Sequence, residues 1–127
     1  MPLVELSTLA NLRVVLDGAV SATEWDIGVV YEDLDDGFNL VQTTAGSSQL
    51  WTSTAGVTKT TVAGPPTGNA KRRRIMGVTV TNRDTSKAVI TIWHEASAVE
   101  RWLLVKEVPA GATLYWLPNT GWQVSTT

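Results

Sequence analysis

Apolar and polar side chains alternate along much of this chain with a period of two. The clearest case is "MGVTVTN", which sets Met76, Val78 and Val80 on one side and Gly77, Thr79 and Thr81 on the other. Successive side chains of an extended backbone point to opposite sides, so this pattern predicts a strand with one buried face. "AVITIWHE" repeats it, with Ile90 and Ile92 opposite Thr91 and Trp93. The polar "NRDTSK" between the two segments predicts that they form a β-hairpin. "VERWLLVKEV" is apolar on nearly both sides and is expected as a central strand. "ATLYWL" and "GWQVST" are expected as a last pair, joined by a turn at Pro118 and Asn119.

The first half is less regular but of the same kind. "NLRVVLD" aligns Leu12, Val14 and Leu16, and "EWDIGVVYED" aligns Trp25, Ile27, Val29 and Tyr31. Shorter strands are expected in "FNLVQTT", "SQLWTST" and "VTKTTVA". Leu3, Leu6 and Leu9 have helical spacing, yet three positions are too few for a helix, and residues 1–11 are expected as an N-terminal arm. About eight strands with turn signals every 8–12 residues or so point to a sandwich or a closed barrel. The expected fold is all-β, an antiparallel β-sandwich of immunoglobulin-like or jelly-roll-like form. One domain would span residues 1–127, with "GPPTGNAKRRR", residues 64–74, as a linker-like loop between its halves.

Composition narrows the function. The chain has 127 residues, a formal charge of −2 and no cysteine, which removes thiol catalysis and disulfides and argues against a general coat for nucleic acid. No apolar run approaches the roughly 20 residues of a membrane-spanning helix. The start, "MPLVELSTLANL", carries Glu5 and lacks the basic-then-apolar pattern of a signal peptide.

Candidate chemistry is sparse. His94 is the only histidine, so a multi-histidine metal site is excluded, and a catalytic base would need a placed partner. On the face of Ile90 and Ile92 it is expected to be half-buried. There is no G-x-S-x-G elbow, phosphate loop or G-x-G-x-x-G turn. "YEDLDDG" gathers Glu32, Asp33, Asp35 and Asp36 without the spacing of a calcium loop, and is expected as a solvated hairpin tip. "KRRR", Lys71, Arg72, Arg73 and Arg74, is expected as a solvated loop first, then as the partner of that acidic patch on a neighbouring subunit, and third as a grip on nucleic-acid phosphates. The expectation is a protein that is not an enzyme and holds no cofactor or metal.

Six tryptophans among nine aromatics are the strongest remaining signal. Trp25 and Trp102 sit in apolar strands and are expected in the core. Trp93, beside Thr91 and Glu95, and Trp116, taken as out of phase with Leu114, either point outward, where indoles mark contact surfaces, or are covered by a second sheet. Trp122 and Tyr115 belong to the same aromatic-rich tail.

The order "IMGVTVTNRDTSKAVITIWHE", "RWLLVKEVPAGATLYW", "NTGWQV" resembles a module of small virion proteins of tailed bacteriophages. Its features are a strand ending in an Asn-x-Asp turn, an alternating return strand, a third strand leading into an "L-x-A-G-E-T-L"-like corner, and a "G-W-x-V" close. The corner here is Val108 to Leu114, with Ala112 where an acidic residue is common, and the likeness covers residues 70 to 125 or so. It implies a β-sandwich structural subunit of a virion assembled in the host cytoplasm. The first reading is a capsid decoration or cement protein; a tail, baseplate or head-to-tail component is the alternative. Partners would be itself, as a trimer if it sits on capsid three-fold positions, and the major capsid or other virion proteins, with no membrane and with nucleic acid disfavoured. A carbohydrate- or receptor-binding module built on Trp93, Trp116, Trp122 and Asn119 is the competing class.

Overall fold

Strand-forming β-branched and aromatic residues, cut by glycine, proline and asparagine, leave the chain only sheets to build. In the computed structural model, which describes residues 2–41 and 49–126, they form ten strands. These are β1 (Val4–Leu6), β2 (Ala10–Leu16), β3 (Asp26–Leu34), β4 (Gln49–Ser53), β5 (Thr60–Ala63), β6 (Arg72–Thr81), β7 (Ala88–Ala96), β8 (Val99–Val108), β9 (Thr113–Leu117) and β10 (Gly121–Ser125). Every pairing is antiparallel. A six-stranded sheet runs β10-β9-β6-β3-β4, with β1 also paired to β6, and faces a four-stranded sheet in the order β5-β2-β7-β8. The fold is the antiparallel β-sandwich the alternation predicts, with ten strands in place of about eight. Of "FNLVQTT", residues 38–41 form a turn and a single bridge, Leu34 to Leu40, and residues 42–44 lie outside the described residues.

The core is what period two requires. Leu12, Val14 and Leu16 from β2, Trp25 with Ile27, Val29 and Tyr31 at and within β3, Val78 and Val80 from β6, and Ile90 and Ile92 from β7 are all buried between the sheets.

Four expectations are corrected. First, residues 1–11 are no arm: β1 pairs Val4 with Ile75 and Leu6 with Arg73, and Leu6 and Ala10 are fully buried. The leucine spacing misleads because the chain turns at Ser7–Leu9 and changes sheet, so Leu6 and Leu9 belong to different local structures. Second, the linker-like loop ends at Lys71, since Arg72, Arg73 and Arg74 open β6. Third, β6 and β7 form no hairpin. One side of β6 is taken by β3 and the other by β9 and β1, so the chain arches across to the other sheet. Fourth, β8 is an edge strand, paired among the described residues only with β7.

The arch is held by Asn82, which is fully buried. Its amide Nδ2 donates to the carbonyls of Ser86 and Val108, both at 3.0 Å, and its Oδ1 accepts the Asp84 amide at 2.9 Å. The backbone of Asn82 bonds Ala112 and Gly111 in the β8–β9 corner, where Gly111 takes a φ of 76°. Asp84 then accepts the amides of Ser21 and Ala22, both at 2.8 Å, and of Thr23 at 3.2 Å. The Asn-x-Asp turn thus ties together three separate connections. The true local hairpins are β7–β8, through Ser97 and Ala98 at positive φ, and β9–β10, where Gly121 at φ 69° follows the expected turn.

Candidate interaction surface

The two charged runs meet inside one chain. β3 and β6 are antiparallel neighbours, and their register sets Glu32 opposite Arg74 and Asp33 opposite Arg73. Arg73 grips Asp33 through two bonds of 2.8 and 3.0 Å, lies 4.2 Å from the Tyr31 ring centre and donates to the Gly64 carbonyl. Both partners are nearly enclosed, so this pair is part of the fold. Arg72 and Arg74 both reach Glu5 of β1, at 3.0 and 3.7 Å, and Arg72 also covers the Phe38 ring. Asp35 accepts the amides of Gly37 and Asn39, closing its own turn. Asp36 and Lys71 are exposed. The expectation that the acidic patch answers the basic run across subunits is therefore corrected for Asp33, Arg72, Arg73 and Arg74, whose ionic partners are intramolecular.

The tryptophans redistribute. Trp25 is buried as expected, but Trp102 is 73% exposed, because β8 is an edge and carries it on the outer face opposite Trp93. A β-bulge between Ile92 and Trp93 shifts the phase of β8 at Leu103, so no simple alternation places its side chains. Trp93 does point outward, yet it is only 9% exposed: Lys59 lies over its ring at 4.4 Å and is itself held by Glu100. Trp116 points inward, paired with Val78 and Trp122, and is 8% exposed. Leu114 and Trp116 are two residues apart and share the inner face, which the outward alternative for Trp116 overlooked. Tyr115 lies on the outer face between Thr79 and Gln123, half-buried.

Trp122 has a different setting. The six-stranded sheet extends past its partner, so the inner faces of β9 and β10 meet β8 across a gap of about 300 Å³ lined by Leu104, Lys106, Leu114, Trp122 and Val124. The opposite side of the sandwich, where β4 and β5 come together, is closed. Beside the gap, β8 exposes Val99, Trp102 and Val105. One flank of the molecule therefore carries an unfinished core next to an edge strand that exposes Val99, Trp102 and Val105 among charged residues.

The proposed sugar set of Trp93, Trp116, Trp122 and Asn119 does not converge. Trp93 lies on the outside of one sheet, Trp116 and Trp122 on the inside of the other, and Asn119 in an exposed turn. His94 pairs with Leu12 on the inward side of β7, and its Nε2 is buried with no hydrogen-bond partner among the described residues. Burial first, and then the Arg101 charge, lower its pKa, so the ring is neutral at pH 7. Among the described residues no carboxylate bonds to it. Among the described residues no cluster of three or more His, Asp or Glu could hold a metal ion, and no helix is long and apolar enough to cross a membrane.

Sequence reasoning missed Trp51, which is 69% exposed on β4. It lies directly opposite Gly28 on the adjacent strand β3, a pairing that becomes visible only once register is known. Compared with family models, curated proteins and solved structures, the chain has no match.

Proposed function

We propose that the protein is a structural subunit of a tailed-bacteriophage particle, a decoration or cement protein that stabilises the head through protein–protein contacts. The single observation that carries the association is the open flank. Leu104, Leu114, Trp122 and Val124 surround a gap into the core, and Trp102 stands beside it at the edge. Apolar surface of this kind is stabilised by being covered, at about 25 cal/mol per Å² removed from water, and exposed indoles dominate such contacts.

Charge bears on how the contact forms. Two β8 strands meeting antiparallel with Trp102 opposite Val105 would set Glu100 against Glu107 and Arg101 against Lys106, like against like. Together with the bulge, this disfavours edge-to-edge pairing in that register. The flank is better suited to receive a side chain or short segment from a neighbouring subunit, repeated by symmetry. The head location and a trimeric state rest on the resemblance of residues 70 to 125.

Gold-labelled antibody against the protein, applied to particles purified from the host that encodes it, tests this reading. Label distributed over the heads supports decoration. Label confined to the tail or neck transfers the role there, and particles without label exclude a virion protein.

A further inference from the structure

The outer face of the six-stranded sheet holds a second surface, independent of the flank. Register aligns Trp51, Gly28, Thr79, Tyr115 and Gln123 in one row across five strands. A Cβ placed on Gly28 would lie 2.7, 2.9 and 3.1 Å from Cζ3, Cη2 and Cε3 of Trp51. The three ring atoms are nearly equidistant, which puts that point over the face of the indole; an edge-on approach would leave the two flanking atoms well behind the nearest one. The ring therefore lies flat on Gly28 with its other face turned to solvent. Beside it is a recess of about 250 Å³ lined by Gly28, Val29, Val30, Gln49, Trp51 and Thr79.

Covering a strand glycine with an aromatic ring steadies the sheet, and that accounts for where the ring sits. It leaves a bare aromatic plate with an amide and a hydroxyl at its side. The row contains no charged side chain, and Asp26, two positions before Gly28 on β3, is bonded to Arg83 at 3.1 Å. A phosphate would find no cation here and a cationic ligand no free carboxylate. The outward positions on one side of the row, Thr81, Thr113 and Ser125, are also polar, while on the other side Val30 and Leu117 are exposed.

We propose that this row binds an uncharged oligosaccharide laid across the strands, with one pyranose ring stacked on Trp51. The C–H groups on one face of a sugar carry partial positive charge and meet the negative face of the indole. Gln49 and Thr79 bond the hydroxyls of that ring, and Tyr115 and Gln123 those of the units beyond. Three strand spacings separate Trp51 from Tyr115, about 14 Å, which selects a chain of several sugars over a single ring.

The test is titration calorimetry of the full chain with cellohexaose, xylohexaose, mannohexaose, laminarihexaose and chitohexaose at millimolar concentration. At least one binds, Trp51→Ala weakens it about tenfold or more, Gly28→Ala weakens it by tilting the retained indole, and Trp102→Ala leaves it unchanged. If Trp51→Ala does not fold, Thr79→Val and Gln49→Ala supply the comparison. Absence of binding by all five, or binding indifferent to these variants, overturns the proposal. So does a loss of self-association in Trp51→Ala, which would assign the face to a second copy.

Discussion

Asn82 carries more of the architecture than any other polar residue. With its side chain removed, the Val108 carbonyl and the Asp84 amide lose their partner in a buried setting, and the Ser86 carbonyl loses its own nearer the surface. Asn82→Ala is expected to destabilise the fold by about 2–4 kcal/mol, read as a lower urea midpoint. Ala98 offers the opposite case. Ser97 and Ala98 hold φ values of 50° and 67° in the two-residue β7–β8 turn, a conformation that suits Asn-Gly. Replacing them by Asn and Gly should add about 1 kcal/mol of stability, seen as a higher melting temperature. Two titrations give the pH response. The backbone amide of Ser21, ahead of those of Ala22, Thr85 and Thr23 and against the cost of burial, lowers the pKa of Asp84; burial and then Arg101 lower that of His94. Both groups are depressed in the folded state, so each stabilises above its unfolded pKa and the contribution is lost as pH falls through the folded value. Melting temperature is therefore expected to drop in two stages, one starting below about pH 6.5 and one below about pH 3.9. His94→Gln should abolish the upper stage and Asp84→Asn the lower.

At the scale of elements, the strands were legible and their neighbours were not. Period two located the buried residues of β2, β3, β6 and β7 because each of these has one face on the core. It could not tell the β6–β7 arch from a hairpin, since a short polar link serves either; the difference lies in Asn82 bonding a corner nearly 30 residues away. β8 was misread because greasiness on both faces has two origins, enclosure in a central strand or exposure on an edge that meets a partner. The phase change at Leu103 further scrambled its pattern. The candidate site was legible only in kind. An excess of indoles was visible, but which ones face water follows from sheet width and register: Trp102 and Trp51 are exposed because β8 and β4 are edges. The "KRRR" run was read as a loop because four adjacent cations hide strand alternation, although Arg73 faces inward and Arg72 and Arg74 outward.

For the whole molecule, the unequal width of the two sheets decides how it can associate. Self-association through the β8–β10 flank should be lost in Trp102→Ser combined with Trp122→Ser, with the sedimentation coefficient falling to that of the protomer. Raising sodium chloride should leave it intact, because the contact is apolar and the Arg72, Arg73 and Arg74 ion pairs are internal. The same strand order has a bearing on synthesis. β2 finds its main neighbour in β7, about 80 positions later, and β3 finds its own in β6. A nascent chain that has emerged only as far as β5 thus holds Leu12, Val14, Ile27 and Val29 with β4 and β5 in place but without the central strands β6 and β7 that complete the two sheets. At ribosomal speeds of about 5–20 residues per second, those side chains wait for several seconds, and they would be the natural target of a chaperone until β6 and β7 arrive.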